Sequence, residues 1–343
     1  MAIKVRRGAI ADLDTSQLKA GEWVLGTDTI NNVGIAKAPS DVVWLATKDD
    51  VDTAKSKLDP SVSSGVLTFR KPSWKQLVNA PIIGVYGAAV VYQNRIHVFQ
   101  GTNHYSFDGY TWEQESVLPK TVTSPIAVVY NNKIHLIDNP SGHIGHQSWD
   151  GTSWTQESTT GLNMILYGMN NACIYDGKIT VVSSRYGYQS MFTRIWQYDD
   201  DNGWVNCSGI GYNVSFTSCC VYDGKIHYAG NSGGDSGTPY SRMRYAWDGS
   251  DNIQIQDMPY GFFNSMMLEY HGKIHFIGSS RTGSSYGGDC RKKHYTWDGV
   301  RYEQLDNLID NAANCPAVVY NDKIYLFGCG DSSAANYRVY IYG

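Results

Sequence analysis

The sequence predicts an all-β fold, a closed ring of six four-stranded blades over about residues 69–343, which is a six-bladed β-propeller. A short hairpin motif occurs six times at a nearly regular spacing. A second turn signal follows most copies of that motif. The last repeat ends one strand short, and the missing strand lies upstream of the first hairpin. These three observations indicate repeats that close on themselves.

The repeated hairpin consists of a tyrosine, two turn residues, a basic residue and an isoleucine, with apolar residues on both sides. Turn pairs of mostly Asn, Asp and Gly between apolar runs are a strong signal for a two-residue hairpin with positive φ angles. We call the tyrosine that begins each copy its anchor tyrosine. Neighbouring anchor tyrosines lie 38 to 50 residues apart, which matches the period of propeller blades. The copies are Tyr92-Gln-Asn-Arg-Ile96, Tyr130-Asn-Asn-Lys-Ile134, Tyr175-Asp-Gly-Lys-Ile179, Tyr222-Asp-Gly-Lys-Ile226, Tyr270-His-Gly-Lys-Ile274 and Tyr320-Asn-Asp-Lys-Ile324.

A second hairpin turn follows each of the first five anchors at a variable distance and leads into an aromatic strand. Two hairpins per repeat make four strands, which we label a to d from the axis outwards. The Val, Tyr, Ile and Thr content favours strands over the helices of solenoid repeats with a similar period. The turns are Phe107-Asp-Gly, Trp149-Asp-Gly, Trp247-Asp-Gly, Trp297-Asp-Gly and the looser Asp201-Asn-Gly.

The ends of the array predict how the ring closes. The sixth repeat stops after a third strand, Arg338-Val-Tyr-Ile-Tyr-Gly343. Upstream of the first hairpin, Ser73-Trp74-Lys-Gln-Leu77 aligns with Thr111-Trp112-Glu-Gln-Glu115, the fourth strand of the first repeat. We therefore expect an N-terminal strand to complete the last blade.

Composition narrows the possible partners. A net charge of −4 offers no basic stripe for nucleic acid, and no apolar run reaches the roughly 18 residues that suggest a membrane-spanning helix. We therefore expect neither nucleic-acid binding nor membrane insertion. Seven cysteines without a Cys-x-x-Cys pair indicate mainly free thiols and folding in a reducing compartment such as a cytoplasm, although a disulfide among the loop cysteines stays open.

Residues 1–51 differ from the repeats, and residues 52–68 have the polar, Ser- and Gly-containing composition of a linker. The sequence predicts a short helix over Ala9–Leu18 and short strands at 22–26, 33–36 and 42–46. Residues 49–58 have the pattern of two or three further helical turns. A segment this small buries little core by itself, so we expect oligomerisation or docking to stabilise it.

Four stretches of this first segment resemble the N-terminal part of bacteriophage tail-fibre and receptor-binding proteins, including the tropism-determinant type. They are Ile3-Lys-Val-Arg-Arg-Gly8, Leu18-Lys-Ala-Gly-Glu22, Gly26-Thr-Asp-Thr29 and Leu45-Ala-Thr-Lys-Asp-Asp50. The resemblance implies a homotrimeric shaft segment that attaches a receptor-binding head to tail or baseplate proteins of the virion. Separately, Ile324-Tyr-Leu-Phe-Gly328 and Ile274-His-Phe-Ile-Gly278 resemble the second strand of kelch repeats, without most of the paired glycines.

Alternating strands place the a–b and c–d turns on one face of the disc and the longer b–c and d–a loops on the other. These long loops are rich in Tyr, Ser, Gly, Asn and Arg, a mixture typical of recognition loops, although such loops are also tolerated as mere insertions. We expect the face that carries these longer loops to bind a host cell-surface glycan or protein. The candidate contacts are Tyr186, Tyr188, Tyr212, Tyr240, Arg242, Tyr260, Phe262, Arg281 and Tyr286.

The sequence favours a binding protein over an enzyme, and predicts no metal and no cofactor. His97, His135, His227 and His275 recur one per blade, so they cannot converge on one ion, and packing or hydrogen bonding explains them better. Ser106-Phe-Asp-Gly-Tyr-Thr-Trp112 and its copy at 148–154 resemble the Asp-box of six-bladed sialidases, one residue short. A sialidase-like glycan hydrolase or depolymerase is therefore the alternative, although nothing in the sequence shows that its arginines converge.

Overall fold

A computed structural model divides the chain into two compact units, Met1–Pro72 and Ser73–Gly343, which we describe separately. The structure describes residues 5–8, 23–26, 33–38 and 41–46 of the first unit and most of 72–343. The gaps in the second range are 82–85, 139–144, 161, 163–171, 186–191, 211–214, 232–241, 263–264, 280–290 and 331–336.

The described part of the first unit is a four-stranded sheet in the order β1-β2-β3-β4. β1 runs parallel to β2, and the other neighbours are antiparallel. The sequence patterns predicted the last three strands and missed the first. The helical turns expected at Ala9–Leu18 and 49–58, and the linker at 52–68, lie outside the described residues. The strands are β1 (Val5–Gly8), β2 (Trp23–Gly26), β3 (Val33–Ala38) and β4 (Asp41–Ala46).

The second unit is a six-bladed β-propeller of antiparallel four-stranded sheets, as the repeats predicted. Blade 1 contains β6 (Ala88–Tyr92), β7 (Arg95–Gln100), β8 (Asn103–Phe107) and β9 (Trp112–Gln114). Blade 2 contains β10 (Ile126–Tyr130), β11 (Lys133–Asp138), β12 (Gly145–Trp149) and β13 (Trp154–Gln156). Blade 3 contains β14 (Ala172–Tyr175), β15 (Lys178–Arg185), β16 (Phe192–Asp199) and β17 (Gly203–Ile210).

The remaining blades follow the same order, and the last one uses the N-terminal strand. Blade 4 contains β18 (Ser215–Tyr222), β19 (Lys225–Asn231), β20 (Arg244–Trp247) and β21 (Asn252–Ile255). Blade 5 contains β22 (Met266–Tyr270), β23 (Lys273–Ile277), β24 (His294–Trp297) and β25 (Tyr302–Gln304). Blade 6 contains β26 (Ala317–Tyr320), β27 (Lys323–Cys329), β28 (Arg338–Tyr342) and β5 (Trp74–Gln76).

The predicted closing strand is confirmed. β5 pairs antiparallel with β28, with Trp74 opposite Tyr342 and Gln76 opposite Tyr340. The Trp74 indole is buried, lies 5.3 Å from the Tyr342 ring between centroids, and donates a hydrogen bond to Nδ1 of His294 in blade 5 (3.1 Å). The strand thus completes blade 6 and also packs against the preceding blade.

The a–b hairpins have the backbone conformation that their sequences predict. Asn131 and Asn132 have φ angles of 45° and 55°, and Asp223 has 48° before Gly224 at 68°. Residues that tolerate this left-handed region are needed at both central positions of a type I′ turn, which matches the twist of the flanking strands. The turn residues therefore determine the register of each blade's inner pair.

The c–d turns are held by their aspartates. Oδ1 of Asp108 accepts hydrogen bonds from the backbone N–H groups of Tyr110 (2.8 Å) and Thr111 (2.7 Å). These bonds, led by the one from Thr111, lower the pKa of Asp108 to about 2. Asp150 accepts equivalent bonds in blade 2. The Asp-Gly signal thus marks a turn that the carboxylate itself stabilises.

The anchor tyrosine of the repeat joins one blade to the next. The Tyr92 hydroxyl donates to the carbonyls of Asn132 (2.8 Å) and Asp150 (3.1 Å), which lie in the two tight turns of blade 2. Tyr320 of blade 6 reaches the carbonyls of Asn94 (2.8 Å) and Asp108 (3.2 Å) in blade 1 in the same way. The residue that identifies each repeat therefore also connects neighbouring repeats, including the sixth and the first.

Candidate functional site

The two faces of the propeller are built differently. One face carries the a–b and c–d turns described above, and we call it the tight-turn face. The other carries the b–c and d–a connections, and we call it the long-loop face. In blade 1 the b–c connection is a short turn at Gly101 and Thr102, whereas in blades 2 to 6 much of this connection lies outside the described residues.

Three of the nine predicted contact residues are among the described residues. Arg242 is exposed just before β20, at the edge of the long-loop face, as expected. Tyr260 and Phe262 differ from the expectation, because they are buried with 2% and 1% exposure. Tyr186, Tyr188, Tyr212, Tyr240, Arg281 and Tyr286 lie outside the described residues.

The burial of Tyr260 and Phe262 has a clear structural cause. The Tyr260 ring stacks on Tyr295 with centroids 5.1 Å apart, and Phe262 meets Phe276 edge-on at 5.8 Å. Their d–a connection turns inward and fills the space between blades 4 and 5. Both side chains belong to the core and do not contribute to a ligand surface in this structure.

Backbone hydrogen bonds form a regular frame beneath the long-loop face. The N–H groups of Leu118, Met258 and Leu308, all in d–a connections, donate to the carbonyls of Thr102 (2.9 Å), Arg242 (2.8 Å) and Lys292 (2.9 Å). The three acceptors occupy equivalent positions in their blades, because each lies two residues before the same repeat position of strand c. These bonds fix the path of the described d–a connections and direct their apolar side chains into the core.

Exposed apolar side chains accumulate on this frame. They belong to d–a connections or to the residues just before strand c. The tight-turn face also has exposed apolar residues, Tyr110 and Val300, which lie at the tips of single c–d turns. Among the residues described on the long-loop face, the exposed apolar ones are Val78, Tyr86, Val117, Met243, Ile309 and Tyr337.

Cations from three adjacent blades lie at the same edge of the long-loop face. Arg242, the run Arg291-Lys292-Lys293 and Arg338 immediately precede or begin strand c of blades 4, 5 and 6. Lys292 Nζ donates to the carbonyl of Ile309 (2.7 Å), and Arg338 forms an ion pair with Asp310. Sequence reasoning selected only Arg242 from this group, although the basic run before a strand was a visible signal.

Near the axis, where the innermost strands begin at the long-loop face, lies a cavity with room for about one water molecule. Its described lining comes from the beginnings of the innermost strands of blades 1, 2 and 5 and from the residues that precede the innermost strands. These side chains are small or apolar, and the cavity between them is too small for a ligand. The lining residues are Gly87, Ala88, Ala89, Pro125, Ile126, Ala127, Met266 and Pro316.

The recurring histidines form buried pairs and not a shared metal site. Nδ1 of His97 on strand b lies 2.9 Å from Nε2 of His104 on strand c. The pairs His135–His146 and His275–His294 have the same distance in blades 2 and 5. Among the residues that the structure describes, no group of His, Cys, Asp and Glu side chains is arranged to hold a metal ion.

Burial keeps these histidines neutral. It lowers the pKa of His97 to about 4, and together with the neighbouring His97 it lowers that of His104 to about 3. In blade 4, Arg244 takes the strand c position, and its guanidinium carbon lies 3.7 Å from the centre of the Trp297 ring. A histidine or arginine thus fills the same place between blades, against aromatic rings of the next blade.

Comparison with solved structures places the fold among known propellers. The chain aligns with the structure of YjhT with a TM-score of 0.63 and 11% identity, over 77% of this chain and 95% of that one. It aligns with the Trypanosoma rangeli sialidase with a TM-score of 0.51 and 11% identity, over 82% of this chain and 56% of that one. At this identity the likeness shows the propeller fold alone.

Sequence comparison adds nothing to this, since no known protein family and no curated protein sequence matches the chain. Within the described part of the chain, no helix has the length and apolarity needed to cross a membrane. The fold and the composition of the long-loop face are therefore the basis for a functional proposal.

Proposed function

We propose that this chain is the receptor-binding protein of a bacteriophage tail, and that its propeller binds a host cell-surface glycan or protein through the long-loop face. One observation carries the proposal. Apolar residues such as Met243 and Ile309 are exposed on this face close to the cations Arg242 and Lys292, although the chain as a whole has a net charge of −4. Such a mixture of apolar and basic side chains is suited to recognition.

The direction in which the chain enters the propeller supports this assignment. β5 is antiparallel to β28, so Trp74, opposite Tyr342, lies at the tight-turn end of blade 6. The preceding residues therefore join the propeller at the tight-turn face. The long-loop face is the face opposite this entry point.

The basic edge of the long-loop face favours an anionic ligand. Arg242, Lys293 and Arg338 come from three adjacent blades, and only Arg338 has an ion pair with a described carboxylate, that of Asp310. Arginine binds phosphate and carboxylate groups with directional hydrogen bonds, and exposed apolar residues can pack against the CH faces of sugars. Of the two receptor classes, glycan and protein, we infer that a charged surface polysaccharide fits this surface better.

The test is retention of the full-length protein on purified bacterial surface polysaccharides and on whole cells. Alanine at both Arg242 and Lys293 should reduce retention at least tenfold, because it removes two cations from the contact surface. Tyr110→Ala on the tight-turn face is the matched control and should bind like the parent. Equal retention of all three proteins on a polysaccharide that the parent binds would contradict the assignment of the face.

A glycan hydrolase on the same propeller is the second candidate. The fold likeness to a sialidase favours it, as do the aspartate-held c–d turns at Asp108 and Asp150. The same incubation separates the two functions when released sugar is measured. Retention without release supports the receptor-binding protein, and release of reducing ends supports the hydrolase.

The proposed assembly is a homotrimer joined through the first unit, which would attach to tail or baseplate proteins of the virion after synthesis in the bacterial cytoplasm. The sequence resemblance in residues 3–50 supports this, together with the small size of that unit. Light scattering on the full chain should give three times 38.1 kDa. A monomer at micromolar concentration would overturn the trimer without affecting the propeller.

A further inference from the structure

Two cysteines meet across the boundary between blades 3 and 4. Cys173 lies on β14 and Cys219 on β18, the innermost strands of these adjacent blades. Both are free thiols in this structure. Cys173 packs against the buried cluster that contains Cys219, and the neighbouring Cys173 thiol raises the pKa of the Cys219 thiol.

The repeat explains why these two side chains face each other. Alternate residues of an inner strand point to opposite neighbouring blades. Between blades 1 and 2, Val90, two residues before its anchor tyrosine, packs in one cluster with Ala127, three residues before the next anchor. Cys173 and Cys219 occupy these same two positions one interface further on, and Cys173 packs against the cluster that contains Cys219.

We infer that Cys173 and Cys219 form a disulfide that joins blades 3 and 4 when the folded protein reaches an oxidising environment. The two thiols differ in access, as such a reaction requires. Cys173 is partly exposed, whereas Cys219 is buried with 2% exposure. Cys173 is therefore the thiol that meets an external oxidant, and Cys219 the thiol that resolves the product.

The reaction is a thiol–disulfide exchange with a small disulfide such as oxidised glutathione. The Cys173 thiolate attacks one sulfur of glutathione disulfide, whose S–S bond breaks, and one glutathione leaves as a thiolate that takes up a proton. The Cys219 thiolate then attacks Sγ of Cys173 and releases the second glutathione. Two protein thiols are oxidised, and one glutathione disulfide is reduced to two thiols.

The second step should be the slower one at neutral pH. The neighbouring Cys173 thiol and burial raise the pKa of the Cys219 thiol, so little of it is thiolate. A mildly alkaline buffer should accelerate closure. Once formed, the bond would tie two blades near the axis and restrict the unfolded chain between them, which stabilises the folded ring.

The experiment incubates the full chain with oxidised glutathione and maps its cross-linked peptides by mass spectrometry. Ser replaces Cys207 and Cys290 in every variant, because Cys207 is exposed and Cys290 lies outside the described residues. The expected result is a loss of two hydrogens, a peptide joining Cys173 to Cys219, and a melting temperature several degrees higher that reverts on reduction. Mapping is needed because Cys315 and Cys329 also lie in one buried cluster.

Two single variants make the test specific. Cys219→Ala introduces the residue that the equivalent positions 89, 127, 172 and 317 already carry, so the fold should tolerate it. This variant should stop at a glutathione adduct on Cys173. Cys220→Val, at the adjacent position that faces blade 5, should still close the 173–219 bond. Parent protein that keeps both thiols after prolonged incubation, or that links either one to another cysteine, would overturn the inference.

Discussion

Lowering the pH from 7 to 5 should destabilise the propeller through its buried histidines. A histidine in the unfolded chain has a pKa of 6.5, whereas burial lowers the pKa values of His97, His135, His227 and His275 to about 4. The unfolded state therefore binds more protons than the folded state between these values. The stabilisation is complete above pH 6.5 and is lost as the pH falls towards 4.

The pKa differences give the size of the effect. At pH 5, a histidine whose pKa falls from 6.5 to 4 on folding loses about 2 kcal/mol of stabilisation relative to neutral pH. Four such side chains together lose about 8 kcal/mol, if their effects add. Typical domains have a total stability of about 5–15 kcal/mol, so the propeller should be close to unfolding near pH 5.

The assay is urea unfolding of the full chain at pH 7.5, 6 and 5, followed by near-ultraviolet circular dichroism. The matched variant His97→Thr/His104→Ile places in blade 1 the residues that blade 3 carries at the same positions, Thr180 and Ile195. It should retain the fold and lose less stability between pH 7.5 and 5 than the parent. An unfolding midpoint that is the same at pH 7.5 and 5 would refute the reasoning.

Three further predictions concern the ring and its turns, each measured by urea unfolding. Tyr320→Phe removes the hydroxyl that bonds two turns of blade 1, and should cost about 1 kcal/mol, while Tyr110→Phe, exposed at a turn, should cost nothing measurable. Gly278→Ala should cost at least about 2 kcal/mol, because φ is 67° and a Cβ would overlap the Ala312 backbone; an unchanged midpoint would contradict this. Trp74→Ala should cost roughly 3–5 kcal/mol by removing the closing strand's buried anchor, and a smaller loss would mean that closure contributes little.

The propeller could be predicted because its signals are local and repeated. The turn residues after each anchor tyrosine determine a hairpin by their own backbone preferences, as at Asn131 and Asn132. The closing strand was recognisable because Trp74 repeats the pattern of Trp112. Neither prediction required knowledge of how distant side chains pack.

The histidine pairs could not be predicted in the same way. The two members of a pair are 7, 11 and 19 residues apart in blades 1, 2 and 5, since the b–c connections between them differ in length. A regular contact in space therefore has no regular spacing in sequence. Only the strand b members recurred visibly after the repeat isoleucine.

The candidate contacts failed at Tyr260 and Phe262 for a related reason. Aromatic residues in a long connection suggest a binding loop, but this connection turns inward and fills the space between two blades. Met258, Tyr260 and Phe262 alternate with polar or small residues, a pattern typical of one buried face. This alternation predicts burial, whereas the length of the connection suggested a binding loop.

The closing strand also has a consequence for how the protein is made. Trp74 is synthesised early, yet its partner Tyr342 lies 268 residues later in the sequence. During translation, strand c of blade 6 is made after all the strands of blades 1 to 5, so β5 must wait without its partner while five blades assemble. An unpaired strand edge is a template for pairing with other chains. Chains that stop before residue 338 should therefore aggregate or join one another through this edge, and Arg338–Tyr342 decides whether synthesis yields a ring or a polymer.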